Sequence, residues 1–379
     1  MSAPLTAITM PKWGLTMTEG KVVQWLHQPG TSFVPGDELL EIETSKITNV
    51  VEAEAPGTLL RVVAAEGATL PIGGLLAVIG PADAPAADID TFVSGFVVAA
   101  PAEDSAEAEA APAPRMLDVA GTRLRYLELG SGDGTPVLLL HGFGADLNSW
   151  MFNQPALADQ RRVVALDLPG HGGSARDVGA GDATALKHTL AAFADALDAG
   201  PLHVVGHSLG GALAALLAEN RPDLVCSLSL IAPAGLGPEI NAAFIDGFVR
   251  ASRRKDAVEV LQLLVHDPAL VSRTMVEDVL RFKRLDGVAT ALAAIAQAWF
   301  AGSRQRVSIG AALNGLEMPM QVIWGREDRI IPATHVQAVP ARAAVHVLDA
   351  AGHLPHMEKA GEVNRLIRQF TVDSLRDSP

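Results

Sequence analysis

Two hydrophobic rhythms run along the chain, one before residue 81 and another from Met116 onward. In the first, apolar and polar positions alternate as they do in strands that bury one face. Aligning GKVVQWLHQPGTSFVPGDELLEIE from Gly20 with GTLLRVVAAEGATLPIGGLLAVIG from Gly57 gives a repeat at a constant offset of 37 residues. Gly20, Gly30 and Gly36 fall on Gly57, Gly67 and Gly73, and Leu39 and Ile42 fall on Leu76 and Ile79. Matched glycines imply matched turns, because glycine alone takes positive φ at little cost. The expected unit, residues 1–80, is a small all-β flattened barrel. Two similar halves of three or four strands face each other, and the hairpin between them carries Lys46 of ETSKI at its tip.

From Met116 the rhythm changes to strands alternating with helices, which predicts a mainly parallel α/β sheet over 116–379. TRLRYLEL (122–129) reads as an antiparallel starting strand and PVLLL (136–140) as a buried one. RVVALDLPGHG (162–172) reads as strand and loop, and ATALKHTLAAFADALDA (183–199) as a helix. LHVVGHSLGGALAALLAE (202–219) reads as strand, sharp turn and helix. Further strands lie in LSLIAPAG (228–235), MQVIWGREDRIIP (320–332) and VHVLDAAGHLPHME (345–358). Residues 236–315 interrupt this pattern and read as a helical cap.

Between the two regions, 81–115 is Ala- and Pro-rich and acidic, too poor in apolar surface to fold alone. It reads as a linker whose residues span on the order of 100 Å when stretched. IDTFVSGFVV (89–98) is more apolar than its surroundings. It reads as an extra strand or short helix docked on a neighbouring domain, with a partner-recognition segment as the alternative.

Composition narrows the classes. The 379 residues are 49 % hydrophobic with a net charge of -14, a poor fit to nucleic acid or anionic membrane surfaces. A single cysteine, Cys226, allows neither an intrachain disulfide nor a cysteine metal cluster, and no metal is expected. MSAPLTAITMPKWG lacks the charged start and apolar run of a signal peptide. VATALAAIAQAWF (288–300) is too short to span a bilayer and reads as a buried helix, and the single cysteine fits a reducing cytoplasm. The cap carries ten Arg and Lys against eight Asp and Glu. Most of these cations read as a solvated helical face; the alternative is that some meet a phosphate-bearing co-substrate or the acidic first domain.

The strongest chemical signal is Gly206-His207-Ser208-Leu209-Gly210, a G-x-S-x-G elbow in the strand–turn–helix setting it requires. His141-Gly142-Phe143-Gly144 follows an earlier strand, and the backbone N–H groups of Phe143 and Leu209 are candidates for an oxyanion hole. Asp328 follows QVIWG, and His353 follows the last strand. The order Ser, Asp, His is that of α/β-hydrolases, and 116–379 resembles that superfamily throughout. The resemblance implies Ser208 as nucleophile, His353 as base and Asp328, rather than Glu327, as the acid. His207 reads as a packing or hydrogen-bonding residue, His171 as structural, and His356 as sitting on the following helix. A serine that merely caps a helix is the plain alternative for Ser208.

Residues 5–80, including MPKWGLTMTEGKV at 10–22, resemble the lipoyl domain of 2-oxo-acid dehydrogenase complexes. Biotin-carrying domains flank their lysine with methionines, whereas Ser45 and Ile47 flank Lys46. The resemblance implies covalent lipoate on Lys46, attached by a lipoate-attaching enzyme. The pairing of the two domains resembles the dihydrolipoamide acetyltransferase component of bacterial acetoin-cleaving complexes. The His-x-x-x-Asp-Gly signature of other acyltransferase components is absent. This resemblance implies acetyl transfer from lipoyl-Lys46 to coenzyme A. It also implies a thiamine-diphosphate-dependent acetoin-cleaving enzyme and a dihydrolipoamide dehydrogenase as partners, and a homo-oligomer. Two alternatives stay open. One is an esterase, thioesterase or carbon–carbon bond hydrolase with a lipoyl docking domain, and the other a non-catalytic lipoyl-bearing scaffold.

Overall fold

The computed structural model of the chain describes residues 5–11, 13, 17–44, 48–53, 55–96, 112–159 and 161–376. Its two compact units part between Ala111 and Pro112.

The first unit has eight strands: β1 (Thr6–Thr9), β2 (Glu19–Trp25), β3 (Ser32–Phe33), β4 (Glu38–Glu43), β5 (Thr48–Glu52), β6 (Gly57–Val62), β7 (Thr69–Pro71) and β8 (Leu75–Gly80). They form two four-stranded antiparallel sheets, β1-β8-β6-β3 and β5-β4-β2-β7. The repeat governs the hydrogen bonds as well as the strands. Gly30 N–H donates to Leu59 O at 2.7 Å, and its counterpart Gly67 N–H donates to Val22 O at 2.8 Å. Gly30 and Gly67 have φ of 93° and 85°, so both turns need glycine.

The two sequence halves do not, however, make one sheet each. β3 pairs with β6 of the other half, and β7 with β2, so each sheet borrows its fourth strand across the repeat. The exchange closes one core between the sheets, filled by Met10, Val22, Trp25, Phe33, Leu40, Ile42, Leu59 and Leu76. The Trp25 indole N–H enters that core and donates to Ala64 O at 2.9 Å.

The stretch read as linker is structured where it can be described. Ala86–Gly95 is a helix, α1. Ile89 is buried, Arg61 donates to Asp90, and the Thr91 and Ser94 hydroxyls donate to the carbonyls of Ala87 and Asp90. It overlaps IDTFVSGFVV (89–98), read as an extra strand or short helix, and takes the helical form: alanines favour helix, and a few apolar side chains suffice to dock a three-turn segment. Residues 97–111 lie outside the described residues.

In the second unit β9 (Arg115–Val119) pairs antiparallel with the start of β10 (Thr122–Leu140). β10 has two limbs that flank β11 (Arg161–Leu166). Tyr126 to Leu129 meet Leu166 to Val163 in descending order, an antiparallel register. Val137 to Leu140 meet Val163 to Leu166 in ascending order, a parallel one. Gly130, with φ of 76°, begins the reversal between them. The sheet continues with β12 (Leu202–His207), β13 (Val225–Ile231), β16 (Met320–Gly325) and β17 (Ala344–Leu348), all parallel. α2 (Gln154–Leu157), α3 (Ala183–Ala196), α4 (Leu209–Asn220), α9 (Gly310–Gly315), α10 (Pro355–Glu358) and α11 (Ala360–Arg376) complete the α/β unit.

Between β13 and β16 lie α5 (Ala242–Arg250), α6 (Arg254–Leu261), α7 (Arg273–Lys283), α8 (Val288–Trp299) and a ribbon of β14 (Phe300–Ala301) and β15 (Arg304–Gln305). These four helices, the ribbon and α9 occupy the span 236–315 read as a cap. Strand carboxyl ends are where parallel sheets present side chains for chemistry, and β10, β12, β16 and β17 all lead there into the loops that carry the site.

Candidate active site

Ser208 sits between β12 and α4 with φ of 52° and ψ of -115°, a conformation L-residues rarely adopt. The surrounding glycines make the turn possible. A methyl group on Gly206 would lie under 3.0 Å from the Gly210 carbonyl, and one on Gly210 against the Leu140 and His141 carbonyls. The strain is held by backbone bonds: Ser208 N–H donates to Ile231 O at 2.9 Å, and Ser208 O accepts from Ala234 N–H at 3.0 Å. The result lifts Oγ off the strand and sets it at the positive end of α4.

The Ser208 hydroxyl is 3.0 Å from His353 Nε2, and His353 Nδ1 is 2.7 Å from Asp328 Oδ2. Asp328 has no exposed side-chain surface and His353 almost none. All four acceptor directions of the carboxylate are used. Oδ1 accepts from the N–H groups of Ile330 and Ile331 at 2.8 and 3.0 Å, and Oδ2 from the Trp324 indole at 2.9 Å and from His353. A carboxylate so bound holds Nδ1–H on the imidazole and leaves the Nε2 lone pair to accept the serine proton.

Glu327, the neighbouring acid, points elsewhere and accepts from Ala351 N–H at 3.1 Å. His207 donates from Nε2 to the His353 carbonyl at 2.8 Å, and burial holds its pKa well below the ordinary value. His356 is buried beside His207, and burial lowers its pKa to about 3. His171 is likewise lowered to about 3 by burial. It packs edge-on against Phe143. Burial keeps all three neutral at pH 7; His207 and His171 pack and hydrogen-bond as read, and His356 sits on the helix α10 that follows His353.

His141 fixes the loop that bears Phe143. Its Nδ1 donates to Gly142 O at 2.8 Å and its Nε2 accepts from Leu168 N–H at 3.0 Å. A Cβ on Gly142 would stand 3.1 Å from Ser208 Cβ, so this loop passes directly over the nucleophile. Among the described residues no acceptor pairs with the N–H of Phe143 or Leu209. Those are the two donors expected for an oxyanion. The Phe143 ring anchors the cap through Phe248 and Phe300, at centroid distances of 5.8 and 6.1 Å.

Five of the ten cap cations form described ion pairs within the cap: Arg250 with Asp246, Arg253 with Asp256, Arg254 with Glu277, Lys255 with Glu259 and Arg281 with Asp278. Lys283 donates to the carbonyls of Phe248, Val249 and Ala251 at the end of α5. Residues that sequence reasoning passed over are Trp324, which bonds Asp328 four residues on, and Arg329 and Glu358, which also reach Gln262, Val265 and His266 in the cap.

Lys46 lies outside the described residues. β4 and β5 pair antiparallel up to Glu43 and Thr48, so Lys46 belongs to the short connection between them. Among the described residues no group of His, Cys, Asp or Glu is placed to hold a metal ion, and no helix is long and apolar enough to cross a membrane.

Residues 135–360 match the alpha/beta hydrolase fold family model, and residues 6–79 match the "Biotin-requiring enzyme" model of biotin/lipoyl domains. The chain is thus an α/β-hydrolase fold joined to a biotin/lipoyl domain, and the family models agree with the fold in both units. Two relatives share this pairing along nearly their whole length. Both are described as the dihydrolipoyllysine-residue acetyltransferase component of an acetoin cleaving system. One, from Pseudomonas putida, is 48% identical over 96% of this chain and 97% of its own. The other, from Cupriavidus necator, is 44% identical over 97% of this chain and 98% of its own. The chain belongs to this acetyltransferase-component family. Among solved structures, a meta-cleavage product hydrolase from Pseudomonas fluorescens IP01 covers 69% of this chain and 98% of its own, at 23% identity and TM-score 0.63. It shares the fold.

Proposed function

We propose that Ser208 takes an acetyl group from a lipoyl thioester borne on Lys46 and passes it to coenzyme A. The observation that carries this reading is the unbroken hydrogen-bond chain from Ser208 through His353 to Asp328, in a chain that also bears a lipoyl-type hairpin. A lipoyl group amide-linked to Lys46 supplies a thiol that carries the acyl group as a thioester.

The chain's own residues do the rest. His353 Nε2 takes the Ser208 proton as Oγ bonds to the thioester carbonyl carbon. The Phe143 and Leu209 N–H groups hold the oxyanion. As the intermediate collapses the carbon–sulfur bond breaks, and His353 returns its proton to the leaving sulfur. The coenzyme A thiol then gives its proton to His353 and attacks the acetyl-serine ester, and Ser208 Oγ leaves with that proton. Asp328 holds His353 in one tautomer through both halves. Cap residues around Phe143, Phe248 and Phe300 exclude water, which favours transfer over hydrolysis. A tether raises the arm's local concentration to about millimolar, so tight docking is unnecessary.

In this account a thiamine-diphosphate-dependent enzyme loads the arm and a dihydrolipoamide dehydrogenase reoxidises it, in the cytoplasm, with the chain assembled as a homo-oligomer. The test is to prepare the protein in lipoate-supplied cells, establish the modification of Lys46 by peptide mapping, and add an acetyl-lipoyl donor with and without coenzyme A. Coenzyme A-dependent acetyl-CoA formation supports transfer. Release of free acetate at the same rate in both arms would refute it in favour of a hydrolase.

A further inference from the structure

The segment Gln262–His266, which follows α6 in the cap, is stitched to both loops that carry the proton-transfer groups. Arg329, next to Asp328, donates to the carbonyls of Gln262 and Val265. His353 N–H donates to Leu264 O at 2.7 Å. Gly352 crosses this segment so closely that a Cβ there would stand 2.8 Å from His266 N and Leu264 O.

One carboxylate locks the crossing. Glu358 Oε1 accepts from Gly352 N–H at 2.8 Å and from Leu354 N–H at 3.3 Å, the residues on either side of His353. Its other oxygen, Oε2, accepts from His266 N–H at 2.6 Å. Three backbone donors from two elements thus converge on one largely buried carboxylate, and burial raises its pKa. Charge-assisted bonds of this kind fix geometry more firmly than neutral ones.

We propose that Glu358 is a positioning residue that sets His353 from both flanks and ties that setting to the cap segment Gln262–His266. Cap placement over an acyl thioester then registers the base against Ser208. The inference rests on the reading of Ser208, His353 and Asp328 given above. Glu358→Gln keeps the volume of the side chain but turns an amide N–H₂ toward either His266 N–H or Gly352 N–H. Glu358→Asp keeps the charge but shortens the reach, so it spans the crossing less well.

The test uses the full chain and two readouts. Reactive Ser208 is titrated with an organophosphonate, and p-nitrophenyl acetate turnover is expressed per titrated site. In Glu358→Gln that rate falls about 10- to 100-fold, as expected for a displacement near 1 Å, with KM within about twofold, and Glu358→Asp recovers part of it. In parallel, the far-downfield proton resonance of His353 Nδ1 shifts or broadens. A merely structural role lowers the titratable fraction or the melting temperature and leaves the rate per site unchanged. That result, or an unchanged resonance, overturns the inference. If the wild-type protein moves no acetyl group from p-nitrophenyl acetate to coenzyme A, the functional reading fails, and the resonance alone still decides whether Glu358 sets His353.

Discussion

Replacing Asp328 by Asn keeps the side chain's shape and exchanges one oxygen for N–H₂. The carboxylate now satisfies four donors: Ile330 N–H, Ile331 N–H, the Trp324 indole and His353 Nδ1–H. An Asn that keeps its oxygen on the two backbone donors must turn its N–H₂ toward Trp324 and His353, donor against donor. The imidazole can relieve its half by moving its proton to Nε2. That nitrogen then donates toward Ser208 and no longer accepts the serine proton. Wrong-tautomer substitution in a Ser-His-Asp site of a protease costs about 10⁴-fold, which corresponds to about 5 kcal/mol of transition-state stabilisation. The facing donors at Trp324 add roughly 1–3 kcal/mol of lost stability. The assay is pre-steady-state acylation of Ser208 by p-nitrophenyl acetate, with imidazole nitrogen shifts reporting the tautomer. Acylation within tenfold of the wild type, with the tautomer unchanged, would refute the role assigned to Asp328.

Other expectations follow from the same geometry. Ser208→Ala abolishes coenzyme A-dependent acetyl transfer yet leaves loading of the Lys46 arm intact; transfer at the wild-type rate in a coupled acetyl-CoA assay would show that coenzyme A attacks the thioester directly. Gly210→Ala presses a methyl group onto the Leu140 and His141 carbonyls, at a cost of about 1–3 kcal/mol or more, read as a lower denaturant midpoint together with lost esterase activity. A stability penalty with full activity would contradict a tight elbow. Acid is expected to destabilise the second unit. His171 and His356 have folded pKa values of about 3 and His203 of about 4, all lowered by burial. The unfolded chain protonates these groups near their ordinary value, so it binds more protons than the folded chain below that point. Stability is therefore lost as pH falls, on the order of 3 kcal/mol for each group by about pH 4. Melting temperature against pH checks this, with His356→Gln flattening the slope; a flat curve from pH 7 to 4 would contradict it.

Some of this molecule was legible in the sequence because steric rules write themselves into residue type. Gly30 and Gly67 mark positive-φ turns, and their spacing revealed the repeat. Which copy supplies each fourth strand was not legible, because a repeat says that strands match and not which of two equivalent edges they join. The elbow was legible since only glycine clears the carbonyls around Ser208. Asp328 and Glu327 are adjacent, and spacing alone does not separate them; the N–H groups of Ile330 and Ile331 turn one carboxylate toward His353, while Ala351 takes the other. Trp324 and Glu358 lay outside any motif: the bond from Trp324 to Asp328 is local but depends on how the loop after β16 folds back, and Glu358 also reaches His266, 92 residues away. The helix Ala86–Gly95 was legible in its apolar residues from Ile89 on, read as an extra strand or short helix, while its start and its type were obscured by a composition typical of linkers.

The most direct measurement is rapid-quench mass spectrometry of the lipoylated chain after addition of an acetyl-lipoyl donor. Without coenzyme A, an acetyl group should accumulate on the peptide containing Ser208, and added coenzyme A should remove it as acetyl-CoA no more slowly than overall turnover. Acetyl-CoA formed at full rate with Ser208 never acetylated would contradict the account, as would a working assembly in which Lys46 carries no lipoyl group.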